Sequence, residues 1–417
     1  MTTIAPNDRA RWTPGPPHRA GRPRGPDRLF DFFQRPARDP RGGFRDLDDA
    51  GAPLFPAGQA KPIHIAARAV HCFSLAALRG RPGAADVVDH GLEFLWRRHR
   101  DADMGGYVWS VDDDGPRDDG KLGYGHAFVL LAASSARWIG HPLADEMLAD
   151  VATILDERFW EEEHGAIREG FTRDWREIEP GYRGQNANMH LCEAMMAAFE
   201  ATGESLWLER AGRIADLIVR RASAATGWRT PEHFHSDWTI DKSYRCSDEQ
   251  FRPSGVTPGH WFEWARLVLQ LHHLGAGRFG WAPAAARGLV AQGMALGWDA
   301  RHGGLFYTLD WNDRPDKRMK LWWPLCEAIG AAHVLAQTNC DDGVYEAAYR
   351  RLWTFAERVF IDPAQGGWFE ERSEDLRRVR ELFPGKVDIY HAVQACLIPL
   401  YADAGGLAAA IAKENAG

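Results

Sequence analysis

Two histidines stand at the starts of two predicted helices that are far apart in the chain. His260 lies in the first turn of PGHWFEWARLVLQL, where Pro258 is tolerated because its missing N–H is not needed there, and Glu263 follows on the same face. His391 lies at the corresponding place in KVDIYHAVQAC. An imidazole titrates near neutral pH and is well suited to proton transfer. One such histidine is more typical of a cap or a core, whereas two at equivalent places predict an acid/base pair in one cleft.

Other helix starts supply polar side chains that fit the same cleft. Asn186, His190 and Glu193 are spaced by four and three residues in NANMHLCEA, so they share one helix face. Lys121 and Tyr124 occupy the corresponding place in the second repeat. We therefore expect several helices to contribute to one binding site.

Arg68 stands among apolar residues, and a buried guanidinium needs an anionic or polar partner. A sugar oxygen or an enediolate would satisfy it, and a salt bridge to Glu327 or Glu263 is the structural alternative. Trp322 and Trp323 lie side by side at a helix start. Adjacent indoles suit stacking on the apolar face of a sugar, although core packing explains them equally well.

A repeated turn precedes each of these helices. The turns are Gly42-Gly43-Phe44, Gly105-Gly106-Tyr107, Gly165-Ala166-Ile167, Thr226-Gly227-Trp228, Gly303-Gly304-Leu305 and Gly366-Gly367-Trp368. Their middle residues are 63, 60, 61, 77 and 63 positions apart. One ionisable residue follows each turn: Arg68, His126, His190, His260, Glu327 and His391. Such a repeat predicts a ring of helices with a chemical site at its mouth.

The pattern between the turns is helical and comes in pairs. One set of segments, 62–79, 124–139, 186–202, 258–274, 320–337 and 389–403, is apolar on most faces and therefore buried. The other set, 85–99, 143–159, 204–222, 283–299 and 342–360, is amphipathic. Strand signals are confined to segments such as 107–115 and 305–313. These features predict an all-α fold, an (α/α)6 barrel with short hairpin loops at one end, since an open solenoid would expose its terminal inner helices.

Composition limits the partners and the compartment. A net charge of −8 and a pI near 6.1 argue against nucleic acid, and no apolar run is long enough for a membrane span. The six cysteines are scattered, which indicates neither a disulfide framework nor a zinc knuckle and favours a reduced cytoplasmic setting. Residues 1–27 contain five Arg, six Pro and three Gly, so we predict a disordered tail followed by one catalytic domain, 28–417.

Motifs for cofactor chemistry are missing from the sequence. The pairs His233/His235 and His272/His273 have no third ligand at a familiar spacing, which disfavours a catalytic metal. We find no phosphate-binding glycine loop, serine nucleophile elbow or dinucleotide fingerprint. The residues therefore predict acid/base chemistry without a cofactor.

Four segments together resemble the N-acylglucosamine 2-epimerase superfamily, from about Phe30 to about Ala402. They are RGQNANMHLCEA, FRPSGVTPGHWFEWARL, KLWWPLCEA and VDIYHAVQA. The resemblance implies an (α/α)6 barrel that isomerises or epimerises sugars at C2, here by proton transfer through a cis-enediolate. HWFEWARL and NANMHL are more similar to the aldose–ketose isomerase branch, with D-mannose or sulfoquinovose as substrate, than to the C2 epimerases of N-acylglucosamine or cellobiose.

The resemblance also implies roles for individual residues. His260 and His391 would be the catalytic acid/base pair. Our hypothesis is that His391 moves the proton between C2 and C1, while His260 assists ring opening and proton exchange at oxygen. The residues that would hold and polarise the monosaccharide are Arg68, Tyr124, Asn186, His190, Glu263, Trp322 and Glu327. No cofactor or metal is implied, and a homodimer is left open as the assembly.

Two alternative functions remain compatible with the sequence. A glycoside hydrolase or lyase on the same barrel would use paired carboxylates, but the helix starts are richer in histidine. A binding protein without catalysis is the alternative from another class. The oversized fourth repeat contains the irregular segment 229–257, whose Arg245, Asp248 and Arg252 could reach the mouth and contact an anionic substituent.

Overall fold

The structure, a computed structural model, describes residues 24–55, 58–245, 250–338, 343–401 and 405–416. The predicted tail, 1–27, lies outside these residues except for positions 24–27, which form the first turn of helix α1 (Arg24–Gln34). Asp248 also lies outside them.

Six inner helices form a closed ring, because each contacts the next and the last contacts the first. They are α2 (Ile63–Leu78), α4 (Gly123–Trp138), α6 (Gln185–Thr202), α8 (Pro258–Leu274), α10 (Trp322–Thr338) and α12 (Tyr390–Leu397). Their side chains are buried on nearly all faces, as the uniformly apolar sequence predicts. The predicted (α/α)6 barrel is confirmed.

The outer helices pack against the inner ring with one face. Five follow their inner helices in the chain: α3 (Ala84–Phe94), α5 (Ala144–Ile154), α7 (Ser205–Ala215), α9 (Ala282–Gln292) and α11 (Val344–Val359). The first four continue into π-helical turns, Leu95–His99, Leu155–Phe159, Asp216–Ser223 and Gly293–Gly297. The sequence prediction did not include the sixth outer helix, which is α1 and packs against α12. The two ends of the chain therefore complete the last repeat together.

The two ends of the barrel differ. A last helix, α13 (Leu407–Ala416), contacts α2, α4 and α6 and covers the rear end, where the inner helices finish. Within the described ranges, no helix has both the length and the apolar character needed to cross a membrane.

Short strands precede several inner helices at the open end. The strands are β1 (Lys61–Pro62), β2 (Ser110–Val111), β3 (Pro116–Asp118), β4 (Lys121–Leu122), β5 (Trp160–Glu161), β6 (Ala166–Ile167), β7 (Gly170–Phe171), β8 (Tyr182–Gly184), β9 (His233–His235), β10 (Lys320–Leu321) and β11 (Glu371–Arg372). All pairs are antiparallel: β1–β2–β3, β4–β7, β5–β6, β8–β9 and β10–β11. The β2–β3 hairpin overlaps the predicted segment 107–115. Most other pairs join neighbouring repeats, so they help to close the ring.

The repeated turns need glycine for two physical reasons. Gly43 and Gly304 have φ values of 71° and 78°, a region that disfavours other residues. A Cβ atom at Gly43 would lie 2.6 Å from Phe94, and one at Gly304 would lie 2.7 Å from Phe355. The turns can therefore lie directly against the outer helices.

A buried ion pair connects the turn to the next inner helix in four repeats. Lys121, just before α4, places its Nζ 3.2 Å from Asp101 Oδ2, and Asp101 accepts hydrogen bonds from two backbone N–H groups of its turn. The equivalent pairs are Lys61–Asp39 at 3.0 Å, Lys320–Asp299 at 2.9 Å and Lys386–Asp362 at 2.7 Å. In the third repeat, Arg183 and Glu161 take these places at 2.7 Å. Because a buried charge requires a partner, these pairs fix where five of the six inner helices begin.

We predict that Lys386→Met destabilises the protein by about 3–5 kcal/mol, because it leaves the buried carboxylate of Asp362 without its lysine. Denaturant unfolding measures the change. Arg350→Ala is the control, since the Arg350–Glu346 pair is solvent-exposed and its loss should leave the midpoint nearly unchanged. Equal effects of the two substitutions would contradict the structural role of the buried pairs.

Candidate active site

A cavity of about 500 Å³ opens at the end where the inner helices begin. All six inner helices contribute to it. The lining residues are His64, Ile65, Arg68, Tyr124, Asn186, His190, Gln250, Phe251, His260, Glu263, Trp322, Trp323, Phe383, Val387, Asp388 and His391. Of the nine predicted site residues, eight line this cavity, and Glu327 lies behind it.

His260 is held by a buried carboxylate from the long insertion. Its Nδ1 lies 2.9 Å from Glu232 Oε2, and Glu232 also accepts hydrogen bonds from the Gln185 amide at 2.8 Å and the Thr257 N–H at 3.2 Å. Trp264 donates to Gln185 Oε1 at 2.7 Å, which fixes the orientation of that amide. Burial alone would raise the pKa of Glu232, but its contact with His260 leaves the pKa below the ordinary value.

His391 has the same kind of partner, and its ring lies beside the same tryptophan as that of His260. Its Nδ1 lies 2.8 Å from Glu327 Oε1, and the other oxygen of Glu327 accepts a hydrogen bond from Arg266 Nε at 3.0 Å. The Trp323 ring lies 5.0 Å from the His260 ring and 5.8 Å from the His391 ring, measured between centroids. In both dyads the carboxylate favours the proton on Nδ1 and leaves Nε2 as the ring nitrogen for chemistry.

Arg68 is the lining guanidinium, and its charge is already paired. It forms a buried ion pair with Asp388 and donates to the Tyr124 hydroxyl at 2.7 Å. Its guanidinium carbon also lies 4.4 Å from the Phe128 ring centroid and 4.9 Å from that of Tyr390. The cation is thus fixed in position and neutralised before any ligand arrives.

Asp388 has a second contact, which positions the start of α12, the helix that carries His391. Its Oδ1 accepts the backbone N–H of Tyr390 at 2.8 Å, at the start of α12. The salt bridge considered for Arg68 with Glu327 or Glu263 is therefore replaced by one to Asp388. An Asp two residues before a helix is a typical capping signal, and this signal in VDIYHAVQA could have identified it.

His190 and Glu263 form the floor of the cavity, close to a buried charge cluster. His190 Nδ1 lies 3.7 Å from carboxylate oxygens of both Glu193 and Glu263. Burial lowers the pKa of His190 to about 4, so its imidazole is neutral at neutral pH. Burial, together with the charge of Glu327, raises the pKa of Glu263 well above its usual range, which favours its protonated form.

Several buried polar atoms of the lining residues have no hydrogen-bond partner among the described residues. They are His64 Nδ1, Asn186 Oδ1, His190 Nδ1, Glu263 Oε1 and Trp322 Nε1. A buried polar atom without a partner costs free energy, so such atoms indicate where a ligand with many hydroxyl groups would be bound.

The segment that contains Gln250 and Phe251 covers the cavity from the long insertion. Phe251 packs against His64, Trp109 and Tyr124 with centroid distances of 5.4–5.6 Å. Its carbonyl accepts a hydrogen bond from Asn186 Nδ2 at 3.2 Å. This aromatic cover limits the width of the entrance.

Arg245 and Arg252 of the insertion do not line the cavity. Arg252 is committed to Glu179 at 2.6 Å and Glu169 at 3.5 Å, and it lies over the Tyr182 ring. Arg245 is exposed and bonds the carbonyl of Tyr244. The expectation that either arginine contacts a substrate finds no support in this arrangement.

His126 does not point into the cleft, although it follows its turn like the other ionisable residues. Its Nδ1 contacts the Leu122 carbonyl at 2.7 Å, and its Nε2 accepts the Tyr107 N–H at 3.1 Å. It therefore fixes the second turn, and Tyr124 is the residue of that repeat which reaches the cavity.

Three described clusters bring ligand atoms close enough for a metal ion: Asp299, His302 and Glu374 lie outside the cavity, and His190, Glu193, Glu263 and Glu263, Glu327, His391 lie at its floor. The guanidinium of Arg266 lies against Glu193, Glu263 and Glu327 at 3.4, 3.9 and 3.0 Å. An arginine thus already supplies the positive charge that these carboxylates require.

The comparisons with known proteins agree with this geometry. The family model of N-acylglucosamine 2-epimerase (GlcNAc 2-epimerase) matches residues 42–395, so the chain belongs to this family. Among its relatives, a D-mannose isomerase of Thermobifida fusca is 42% identical over 96% of this chain and 98% of its own. A D-mannose isomerase of Pseudomonas cannabina pv. alisalensis is 41% identical over 92% and 93%. A crystal structure of D-mannose isomerase superposes with a TM-score of 0.86 at 31% identity, covering 93% of this chain and 99% of that one.

The lowered pKa of the buried His190 makes the free energy of unfolding depend on pH. Its pKa is near 6.5 in an unfolded chain and about 4 in the fold, so protons bind the unfolded state more strongly. Its contribution is complete above pH 6.5 and is lost as the pH falls towards 4. We predict that the unfolding free energy of His190→Gln falls less between pH 7 and pH 4.5, by on the order of 2–3 kcal/mol, than that of the unsubstituted protein.

Urea unfolding at the two pH values measures this difference. His235→Gln, at an exposed position, is the matched control and should keep the original pH dependence. An identical pH dependence in His190→Gln would show that His190 is not held neutral by burial.

Proposed function

We propose that this protein is an aldose–ketose isomerase that interconverts D-mannose and D-fructose. The observation that supports this most directly is the pair of buried histidine–carboxylate dyads, His260–Glu232 and His391–Glu327, facing one cavity. Transfer of a proton between adjacent carbons requires a base near neutral pKa in a site that excludes water. The choice of D-mannose as the substrate rests on the relatives named D-mannose isomerase.

The reaction needs a base at carbon and a proton carrier at oxygen. After ring opening, His391 Nε2 removes the C2 proton of the acyclic aldose, and the electrons of the C–H bond form the C1–C2 double bond of an enediolate. The same proton is returned to C1, while the hydroxyl proton of O2 moves to O1. His260 assists ring opening and this exchange at oxygen. Arg68 and the protonated Glu263 stabilise the negative oxygen as it develops.

The electrostatics of the cavity favour a neutral sugar. Arg68 is paired with Asp388, and burial holds His190 neutral, so the described lining residues offer no uncompensated cation. A sulfonate or phosphate would bring a buried negative charge without a partner, which is costly. We therefore favour D-mannose over sulfoquinovose.

The cover over the cavity favours a monosaccharide. Phe251, packed on Trp109 and Tyr124, occupies space that a second sugar ring would need beside the first. Because all six inner helices line the cavity, we propose that the single domain 28–417 carries the whole activity.

The cellular setting and the assembly are also proposals. The buried thiols Cys72, Cys192 and Cys326 fit a reducing, cytoplasmic compartment. A homodimer is to be tested by light scattering.

NMR of D-mannose incubated with the enzyme in deuterated water tests the function. We expect D-fructose as the first product, and deuterium at C1 would report exchange of the transferred proton with solvent. D-glucose as the sole product would support a C2 epimerase instead. The absence of conversion of D-mannose, D-glucose, N-acetylglucosamine and sulfoquinovose would favour the binding protein.

Substitution of the carbon base tests the assignment of His391. We predict that His391→Gln lowers kcat by about 10²–10⁴-fold while the circular dichroism spectrum is retained, because the substitution removes the proposed base at carbon. His164→Gln, in the third turn on the surface, is the control and should keep full turnover. Near-normal turnover by His391→Gln would overturn the assignment.

A further inference from the structure

Arg266 lies beneath the candidate active site, among the buried charges that support it. It sits on α8, six residues after His260, and its side chain is only 6% exposed. It does not line the cavity at the open end of the barrel. Its contacts are to carboxylates on three inner helices: Glu327 at 3.0 Å, Glu193 at 3.4 Å and Glu263 at 3.9 Å.

One carboxylate connects Arg266 directly to His391. Glu327 uses Oε2 to accept from Arg266 Nε and Oε1 to contact His391 Nδ1 at 2.8 Å. The protonation state of Glu327 therefore decides the tautomer of His391. As a carboxylate, Glu327 accepts a hydrogen bond from Nδ1–H and leaves Nε2 basic, whereas a protonated Glu327 would donate a hydrogen bond to Nδ1 and place the imidazole proton on Nε2.

The groups around Arg266 make this choice depend on the guanidinium. Those that face it from the inner helices are the carboxylates Glu193, Glu263 and Glu327, the hydroxyl of Tyr390, and the imidazoles of His71 and His190. Burial would raise the pKa of Glu327, and the charge of Arg266 and the contact with His391 keep it below its usual value. The other nearby guanidinium, Arg68, is committed to Asp388. Arg266 is thus the cation that keeps Glu327 ionised.

The helix that carries Glu327 is shaped to receive Arg266. Gly330 lies one turn after Glu327 on α10, and a Cβ atom at this position would lie 3.3 Å from Arg266 Cδ. A glycine inside a helix costs about 1 kcal/mol relative to alanine. Its place here is explained by the space that the arginine side chain needs.

We propose that Arg266 is a positioning residue that keeps Glu327 ionised and thereby keeps Nε2 of His391 free to act as the base. This rests on the isomerase function proposed above. Without the guanidinium, the His391–Glu327 dyad takes up one more proton from solvent at neutral pH, which leaves one proton on Glu327 and one on Nε2 of His391. Proton abstraction from C2 is then possible only after Glu327 loses that proton at higher pH.

A rear cavity gives direct access to this arginine. It has a volume of about 760 Å³, and Arg266, Glu193, Gln270 and Gln394 line it beneath α13. Truncation of Arg266 would leave a guanidinium-sized space that joins this cavity. Guanidinium ions from solution could then occupy the place of the lost group.

The test compares pH profiles of kcat/KM for Arg266→Ala, Arg266→Lys and Gln270→Met. We expect the acid limb of Arg266→Ala to move to higher pH by at least one unit and kcat at pH 7 to fall by about 10²-fold, since a carboxylate that lost its cation binds protons more tightly. Arg266→Lys should lie between Arg266→Ala and the unsubstituted enzyme. Millimolar guanidinium should restore part of the activity of Arg266→Ala and should not raise the activity of the other two variants. Gln270→Met changes the same rear cavity one turn away and should keep the original profile.

A purely structural role would lower activity equally at every pH, and this result would overturn the proposal.

Nitrogen-15 NMR of labelled histidine reads the tautomer of His391 without any sugar. We expect the proton on Nδ1 in the unsubstituted protein and on Nε2 in Arg266→Ala at neutral pH, with Arg266→Lys between the two because lysine keeps a positive charge. An unchanged tautomer in both variants would refute the role of Arg266, whereas a failure of the proposed sugar activity leaves this measurement valid. If Arg266→Ala does not fold, Arg266→Met/Glu193→Gln removes one carboxylate together with the cation and gives the same readout.

Discussion

Each charge inside the barrel must find a partner there, and this requirement organises the rest of the structure. The interior is packed with aromatic and aliphatic side chains, where an isolated charge is strongly disfavoured. At the open end, buried lysines pair with aspartates of the glycine turns and fix where the inner helices begin. At the floor, Arg266 balances carboxylates from three helices. The same ion pairs therefore close the ring and position the site.

The pairing also determines the chemical character of the cavity. Arg68 is matched by Asp388, and each of the two histidines proposed to be catalytic is matched by a glutamate, so the cavity has oriented polar groups but little net charge. The polar atoms without partners among the described residues, such as Asn186 Oδ1 and Glu263 Oε1, then provide hydrogen bonds for a ligand. A cavity of this kind suits a neutral sugar whose only large change of charge occurs during the reaction itself.

The fold followed from the sequence because its signals are local and repeated. Glycine turns at steps of about 60 residues and helices apolar on most faces predict an inner ring, and the structure confirms it. The sixth outer helix was not predicted, because α1 lies more than 350 residues before its partner α12 and follows a segment rich in Arg and Pro. The π-helical ends of the outer helices also have no separate sequence signal that we recognise.

For the site, the sequence by itself determined which residue types each repeat delivers: histidines at the starts of α8 and α12, Arg68 and Tyr124 elsewhere in the ring. Only the tertiary structure decided their partners. Glu232 comes from a loop, Asp388 is 320 residues from Arg68, and Glu327 lies behind His391 rather than in the lining. Helix periodicity fixes which face a side chain occupies, because it depends on neighbours three or four positions away. The pairing of buried charges depends on which helices become neighbours when the ring closes, and no local pattern contains that information.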